Sequence, residues 1–168
     1  MLKALITERD HILLAGFSFF GDPFSHNDTW SEENEIGKLW KRFMSYIFGA
    51  GKEHLKRCKC DAFYEIHITH SETEKLGLFE VFVGVEVEEP FDMPEQIVLK
   101  VLPPSRYAVF TLQGQDIVAD WSHEIYNEWM PTSGYKKSHD YNFQLYDSRF
   151  KGMDKIDESI LDLYVPIK

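Results

Sequence analysis

The fold is decided by Leu78-Phe-Glu-Val-Phe-Val-Gly-Val-Glu-Val-Glu88. Side chains of an extended strand alternate between two faces, so the stretch is read at period two. Phe79, Val81, Val83, Val85 and Val87 form one wholly apolar face that a large partner must cover. Leu78, Glu80, Phe82, Gly84, Glu86 and Glu88 form the other. That second face describes either a solvated strand surface with scattered acids or the wall of a pocket in which carboxylates alternate with an aromatic ring.

Working outward, residues 11–20 (His-Ile-Leu-Leu-Ala-Gly-Phe-Ser-Phe-Phe) read as a buried strand. Gly16 within it signals a bulge or a close backbone approach. Gly21-Asp22-Pro23 breaks the strand. Ser31 is the expected helix cap, with Glu32 and Glu33 in the first turn and Asn34 at the third position. Ile36, Leu39, Trp40, Phe43, Met44 and Ile47 recur at helical spacing as a wide apolar stripe, and Gly49-Ala-Gly51 ends the helix. Trp40 and Phe43 have the spacing of core residues packed on a sheet. Asp61 to Thr69 alternates less perfectly and forms a hairpin with the opening stretch. The first half is thus β-α-β-β, spanning about residues 11–89, and Pro90, Asp92 and Pro94 mark a linker.

The second half, about residues 97–168, repeats that order. Arg106 to Gln113 reads as a strand. A helix is expected over residues 116–130, with Ile117, Trp121, Ile125 and Trp129 at steps of four and Pro131 and Gly134 stopping it. Asn142 to Asp147 follows as a strand. In the last strand Leu161, Leu163, Val165 and Ile167 face one way, while Ile160, Asp162, Tyr164 and Pro166 face the other. Asp162 and Tyr164 therefore stand in the second repeat as Glu86 and Phe82 stand in the first. Two such units related by an approximate two-fold would bury their aliphatic faces under the helices and bring the mixed faces together around a cleft.

Composition limits the function. The 168-residue chain is 43% hydrophobic and 15% aromatic, ample for one α+β domain. A net charge of −10 argues against direct nucleic-acid binding, which needs a basic patch. The basic run from Lys52 to Lys59 lacks interleaved aromatics and reads as a solvated loop. No apolar run approaches the roughly 18–20 residues of a membrane span, and the charged N-terminus is no secretory signal, so a cytoplasmic chain is expected. Cys58 and Cys60, spaced C-x-C, match neither a redox pair nor a zinc quartet. Even with His54, His67 and His70 nearby, two thiols are the preferred reading, and no metal or cofactor is expected.

Tyr107-Ala-Val-Phe-Thr111, Ile125-Tyr-Asn-Glu-Trp-Met-Pro-Thr-Ser-Gly-Tyr135 and Leu161-Asp-Leu-Tyr-Val-Pro-Ile-Lys168 resemble the GyrI-like small-molecule-binding family. That effector-binding domain occurs in AraC-type and MerR-type regulators and in free-standing proteins. Ile36-Gly-Lys-Leu-Trp-Lys-Arg-Phe43 and Val83-Gly-Val-Glu-Val87 resemble its first helix and its Gly-x-Glu-Val strand. The chain is most similar to the stand-alone, integron-cassette type, with no room expected for a helix-turn-helix segment. The resemblance implies two β-α-β-β repeats with pseudo-two-fold symmetry, and a cleft whose acids and aromatics recognise lipophilic, often cationic, molecules. Carried onto this sequence, it points to Glu86, Asp162, Tyr164 and Trp129, with Phe82 beside Glu86. The shorter arm of Asp162, where some members carry Glu, bears on its reach.

Such a site favours cations, because desolvation penalises a lone carboxylate and aromatic faces attract positive charge. Two other readings use different logic. A hydrolase of reactive small electrophiles would employ Glu86 as general acid or base beside Tyr164, as the resemblance also allows. A protein-interaction module, such as a gyrase inhibitor, would use the acidic surface. The sequence contains no nucleophile elbow and no metal motif.

Overall fold

The computed structural model describes residues 2–24 and 34–168. Its strands are β1 (Ala4–Arg9), β2 (Ile12–Gly21), β3 (Cys58–Thr69), β4 (Phe79–Val87), β5 (Val98–Leu102), β6 (Ser105–Gln113), β7 (Tyr141–Tyr146) and β8 (Ile160–Ile167). They form one antiparallel sheet of eight strands in the order β1-β6-β8-β7-β3-β4-β2-β5. Read outward from the central β7-β3 pair, β8 matches β4, β6 matches β2 and β1 matches β5. The α+β fold of two β-α-β-β repeats with pseudo-two-fold symmetry is therefore present. Two strands lie outside the expected β-α-β-β units. β1 joins the second repeat through β6, and β5 joins the first through β2.

Helix α1 (Glu35–Phe48) forms where the apolar stripe lies. Asn34 caps it, its Oδ1 accepting the Gly37 amide hydrogen at 2.9 Å, which stabilises the end by about 1 kcal/mol. The cap thus falls at the position expected for the third residue of a capping box, and Ser31 lies outside the described residues. Ile36, Leu39, Phe43 and Ile47 bury their side chains against Phe17, Val81, Val83 and Val85. The apolar face of the opening strand is therefore covered by α1.

The second long helix, α2, occupies residues 121–133 rather than 116–130. Gly114 turns with φ +58° into a separate 3-10 turn, Gly114–Ile117, and Asp120 caps the helix by accepting the His123 amide hydrogen. The middle of α2, Glu124–Trp129, is π-helical. A π turn holds more residues than an α turn, which suits an apolar pattern advancing in fours. Pro131 does not stop the helix. Thr132 Oγ1 donates to the carbonyls of Glu128 and Trp129, both at 3.1 Å, and the helix ends at Gly134 with φ +79°. Ile125 and Trp129 pack with Phe110, Leu161, Leu163 and Val165.

Both helices lie on one face of the sheet. The other face is buried by coiling. Arg9 Nη2 on β1 reaches Tyr64 Oη on β3 at 3.5 Å, although four strand spacings would separate those strands by roughly 19 Å in a flat sheet. The concave face so formed encloses Leu14, Tyr64, Phe82, Tyr107 and Phe143 in one cluster. Gly16 and Gly84 stand opposite each other on β2 and β4. A Cβ on Gly16 would lie 2.0 Å from the Val83 carbonyl oxygen, so the expected close approach is real, and it is between backbones.

Candidate functional site

Glycine, valine and phenylalanine seat α1 over β4 and β2, and the α2 contacts seat that helix over β6 and β8. The central pair β3-β7 is flanked by the helices rather than covered. Its helix-facing residues pair directly across the junction of the repeats: Phe63 with Tyr146, Glu65 with Gln144, and His67 with Asn142. Three adjoining cavities lie along this floor. The first, about 420 Å³, is walled by Trp40, Met44, Phe63, Tyr146 and Phe150. Tyr146 and Phe150 separate it from a second of about 310 Å³, which Glu65, His67, Trp121 and Gln144 line. His67 and Trp121 in turn border a third, about 430 Å³, that also touches Phe79, Tyr126 and Asn142.

Glu65 is the centre of this furrow. Its side chain is 1% exposed. Trp40 Nε1 donates to Oε2 at 2.6 Å, Tyr146 Oη donates to the same oxygen at 3.4 Å, and His67 Nε2 sits 2.7 Å from Oε1. The Tyr146 hydroxyl also reaches Gln144 Oε1 at 2.9 Å. Burial first, and then the charge of Glu65, push the Tyr146 phenol well above its usual range. It therefore stays a hydrogen-bond donor through neutral pH. Trp40 and Tyr146 meet edge to face at 4.9 Å. At the outer wall Arg149 grips Asp147 with two nitrogens and holds it below the usual carboxylate range.

The residues singled out from the sequence lie elsewhere. Phe82 is fully buried in the concave cluster. Tyr164 packs against that cluster, stacked on Phe143 at 4.5 Å. Glu86 accepts from Tyr64 Oη at 3.1 Å and from Lys59 Nζ at 3.2 Å on the same side. Asp162 is held by Thr111 and Arg149. Trp129 alone is on the helix side, where it meets Phe110 edge to face at 5.0 Å and stacks on Tyr135. The mixed faces of the two repeats do converge, as the pseudo-symmetry requires, but aromatic side chains pack the space between them.

Three residues of the floor, Glu65, His67 and Gln144, went unmarked as site residues in the sequence. Trp40 was read as a core residue, and the structure places it half-buried at the cleft with its indole N–H on Glu65. Among the described residues no group of three His, Cys, Asp or Glu side chains is arranged to hold a metal ion. His54, His67 and His70 instead engage Tyr46, Glu65 and Glu80.

A curled antiparallel sheet, two flanking helices and an acid-floored aromatic furrow at the repeat junction define a small-molecule-binding class. Within it, the chain belongs to the integron-associated effector-binding proteins, whose family model matches residues 5–167. It is similar to the transcriptional regulator BrlR of Pseudomonas aeruginosa, 32% identical over 99% of this chain, and it spans 56% of that relative's length. Two solved structures share the fold. SAV2435 bound to tetraphenylphosphonium has a TM-score of 0.71 at 15% identity, covering 99% of this chain and 94% of that one. The integron cassette protein from the mobile metagenome of Vibrio cholerae has a TM-score of 0.64 at 16% identity, covering 99% and 96%. No helix among the described residues is long and apolar enough to cross a membrane.

Proposed function

We propose that this protein is a receptor for lipophilic cations, held in the furrow between α1 and α2 with Glu65 as the counter-charge. One observation carries the reading. Glu65 is buried among aromatic walls, and its hydrogen-bond partners, Trp40, Tyr146 and His67, include no permanent cation among the described residues. Burying a carboxylate without such a partner is unfavourable. A lipophilic cation supplies the missing charge and the apolar surface together, and each aromatic face adds about 0.5–2 kcal/mol of cation–π attraction. A neutral molecule of the same shape gains only the burial. Selection is thus by charge first and shape second.

The tetraphenylphosphonium complex of SAV2435 supports a cation as ligand class. The likeness to BrlR supports a role in transcriptional control. Binding would be reported to a DNA-binding segment or partner through α1 and α2, which both border the furrow. The test compares an aryl-ammonium ligand with its neutral carbinol analogue. The cation should quench tryptophan fluorescence and raise the melting temperature, and Glu65→Gln should abolish both effects. Equal responses to the cation and the carbinol would refute the reading.

A further inference from the structure

Given the cation-receptor reading of the furrow, we propose that His67 holds an exchangeable proton beside Glu65 and that a lipophilic cation enters in exchange for it. The receptor then takes up its ligand as pH rises and gives it up as pH falls.

His67 and Glu65 stand two residues apart on β3, so both project from the helix-facing side of the strand. His67 Nε2 lies 2.7 Å from Glu65 Oε1, while Trp40 and Tyr146 donate to the other oxygen. An ionised carboxyl only accepts, so Nε2 carries a hydrogen in this contact and a second proton adds at Nδ1. The imidazole is the more open partner, its side chain 19% exposed against 1% for Glu65. It borders both the cavity of about 310 Å³ that Glu65 lines and the adjoining one of about 430 Å³. Protons and ligands therefore meet the ring from the same space.

The uncharged ring gives Glu65 a neutral hydrogen bond and leaves the carboxylate charge for a ligand. The protonated ring forms a charge-assisted pair with Glu65, cancels the charge that the furrow offers and repels an entering cation. Ligand and proton thus oppose each other, and by linkage each lowers the other's affinity by the same factor.

Imidazole is the side chain that ordinarily changes charge between about pH 5 and 8. Among the described residues, Val81 on β4 and Asn142 on β7 stand opposite His67, and the Phe79 ring lies 5.6 Å away. None of these titrates. Asp120, just before α2, lines both cavities, and Tyr126 and Lys137 line the larger one. Asp120 caps α2, and Lys137 pairs with Asp140 at 3.7 Å. Carboxyl, phenol and ammonium groups as classes titrate outside that pH window. They contribute a steady background potential, and His67 supplies the step.

The probe is 2-naphthylmethyl(trimethyl)ammonium, whose own charge is the same at every pH. Fluorescence titration of the full chain should show its affinity falling about tenfold from about pH 7.5 to about pH 5.5, the span over which an ordinary imidazole takes up its proton. Calorimetry near about pH 6 in phosphate and in MES, buffers of different ionisation enthalpy, should give different binding enthalpies, because binding releases a proton. In His67→Gln the amide still donates to Glu65 but takes up no proton, so its affinity should be level across the same range. On adding the probe to the parent at about pH 6, the His67 ring resonances, identified by their absence from the variant's NMR spectrum, should move to their neutral positions. An affinity that is level with pH in the parent, a slope that survives in His67→Gln, equal enthalpies in the two buffers, or ring resonances that stay in place overturns this inference and leaves the cation-receptor reading intact. Failure of the probe to bind at any pH in this range overturns both.

Discussion

Glu65 and Gln144 face each other where the two repeats meet, one on β3 and one on β7. The pseudo-two-fold that makes the strands equivalent does not make the side chains so: one repeat contributes an acid and the other its uncharged counterpart. The Tyr146 hydroxyl lies within reach of both. A symmetric pair of acids so close would repel and drive one proton onto the site. The asymmetric pair has one carboxyl group and adds a neutral acceptor beside it. That asymmetry is the electrostatic basis of the proposed preference for monocations.

Glu65→Gln tests that charge with little change in shape. The amide oxygen can still accept from Trp40 or Tyr146, so the fold should keep its melting temperature or gain a little, since a buried charge is removed. Affinity for aryl-ammonium ligands should fall at least about tenfold. A variant that binds as well as the parent, followed by fluorescence titration, would move the counter-charge elsewhere.

Trp40→Phe retains an aromatic ring but removes the donor 2.6 Å from Glu65 Oε2. Leaving that oxygen short of a donor should lower stability by about 1–3 kcal/mol. Urea denaturation measures it. The variant should also lose part of the ligand-dependent fluorescence change, because Trp40 and Trp121 wall adjoining cavities and only Trp121 remains.

Gly16→Ala should destabilise the sheet by about 3 kcal/mol, at the upper end of overpacking effects. The added Cβ meets the Val83 carbonyl oxygen and the Gly84 Cα at 2.0 and 2.6 Å. Both are backbone atoms and cannot rotate away. Equilibrium denaturation showing a loss below about 1 kcal/mol would mean that β2 and β4 separate more easily than their packing implies.

The buried tyrosines of the concave face and of the furrow predict an alkaline limit. Burial pushes the Tyr64 phenol up to about 12, and Tyr107, Tyr126, Tyr141, Tyr146 and Tyr164 are raised as well, burial being the largest cause in each. The unfolded chain binds fewer protons than the native state once pH exceeds the ordinary phenol value of 10.0. Stability from these groups is therefore fully present below that pH and is lost as pH rises through their folded-state values. Phenolate absorbance at about 295 nm should lag behind that of free tyrosine and then rise together with loss of circular dichroism. A simple titration near the ordinary value, with the fold intact, would contradict the burial.

Much of this protein could be read directly from its residues. Strict alternation in β4 and β8 identified their apolar faces, the helical stripe from Ile36 to Ile47 placed α1, and the repeated order of elements gave the pseudo-symmetric α+β fold. Local periodicity suffices there because each pattern is fixed by the geometry of a single strand or helix. β1 and β5 escaped notice because they are short edge strands, completed by pairing with the opposite repeat rather than by their own pattern. Only tertiary structure decided which polar strand face is left open as a furrow. Glu86 and Glu65 both alternate with apolar neighbours and look alike in sequence. Coiling of the sheet closes the face bearing Glu86 onto tyrosine and phenylalanine rings. The spacing of α1 and α2 leaves the β3-β7 floor uncovered, so Glu65 lies at the bottom of the furrow. The apolar stripe of each strand says that something must cover it, but where the sheet bends and where two helices part depends on contacts between residues far apart in the chain.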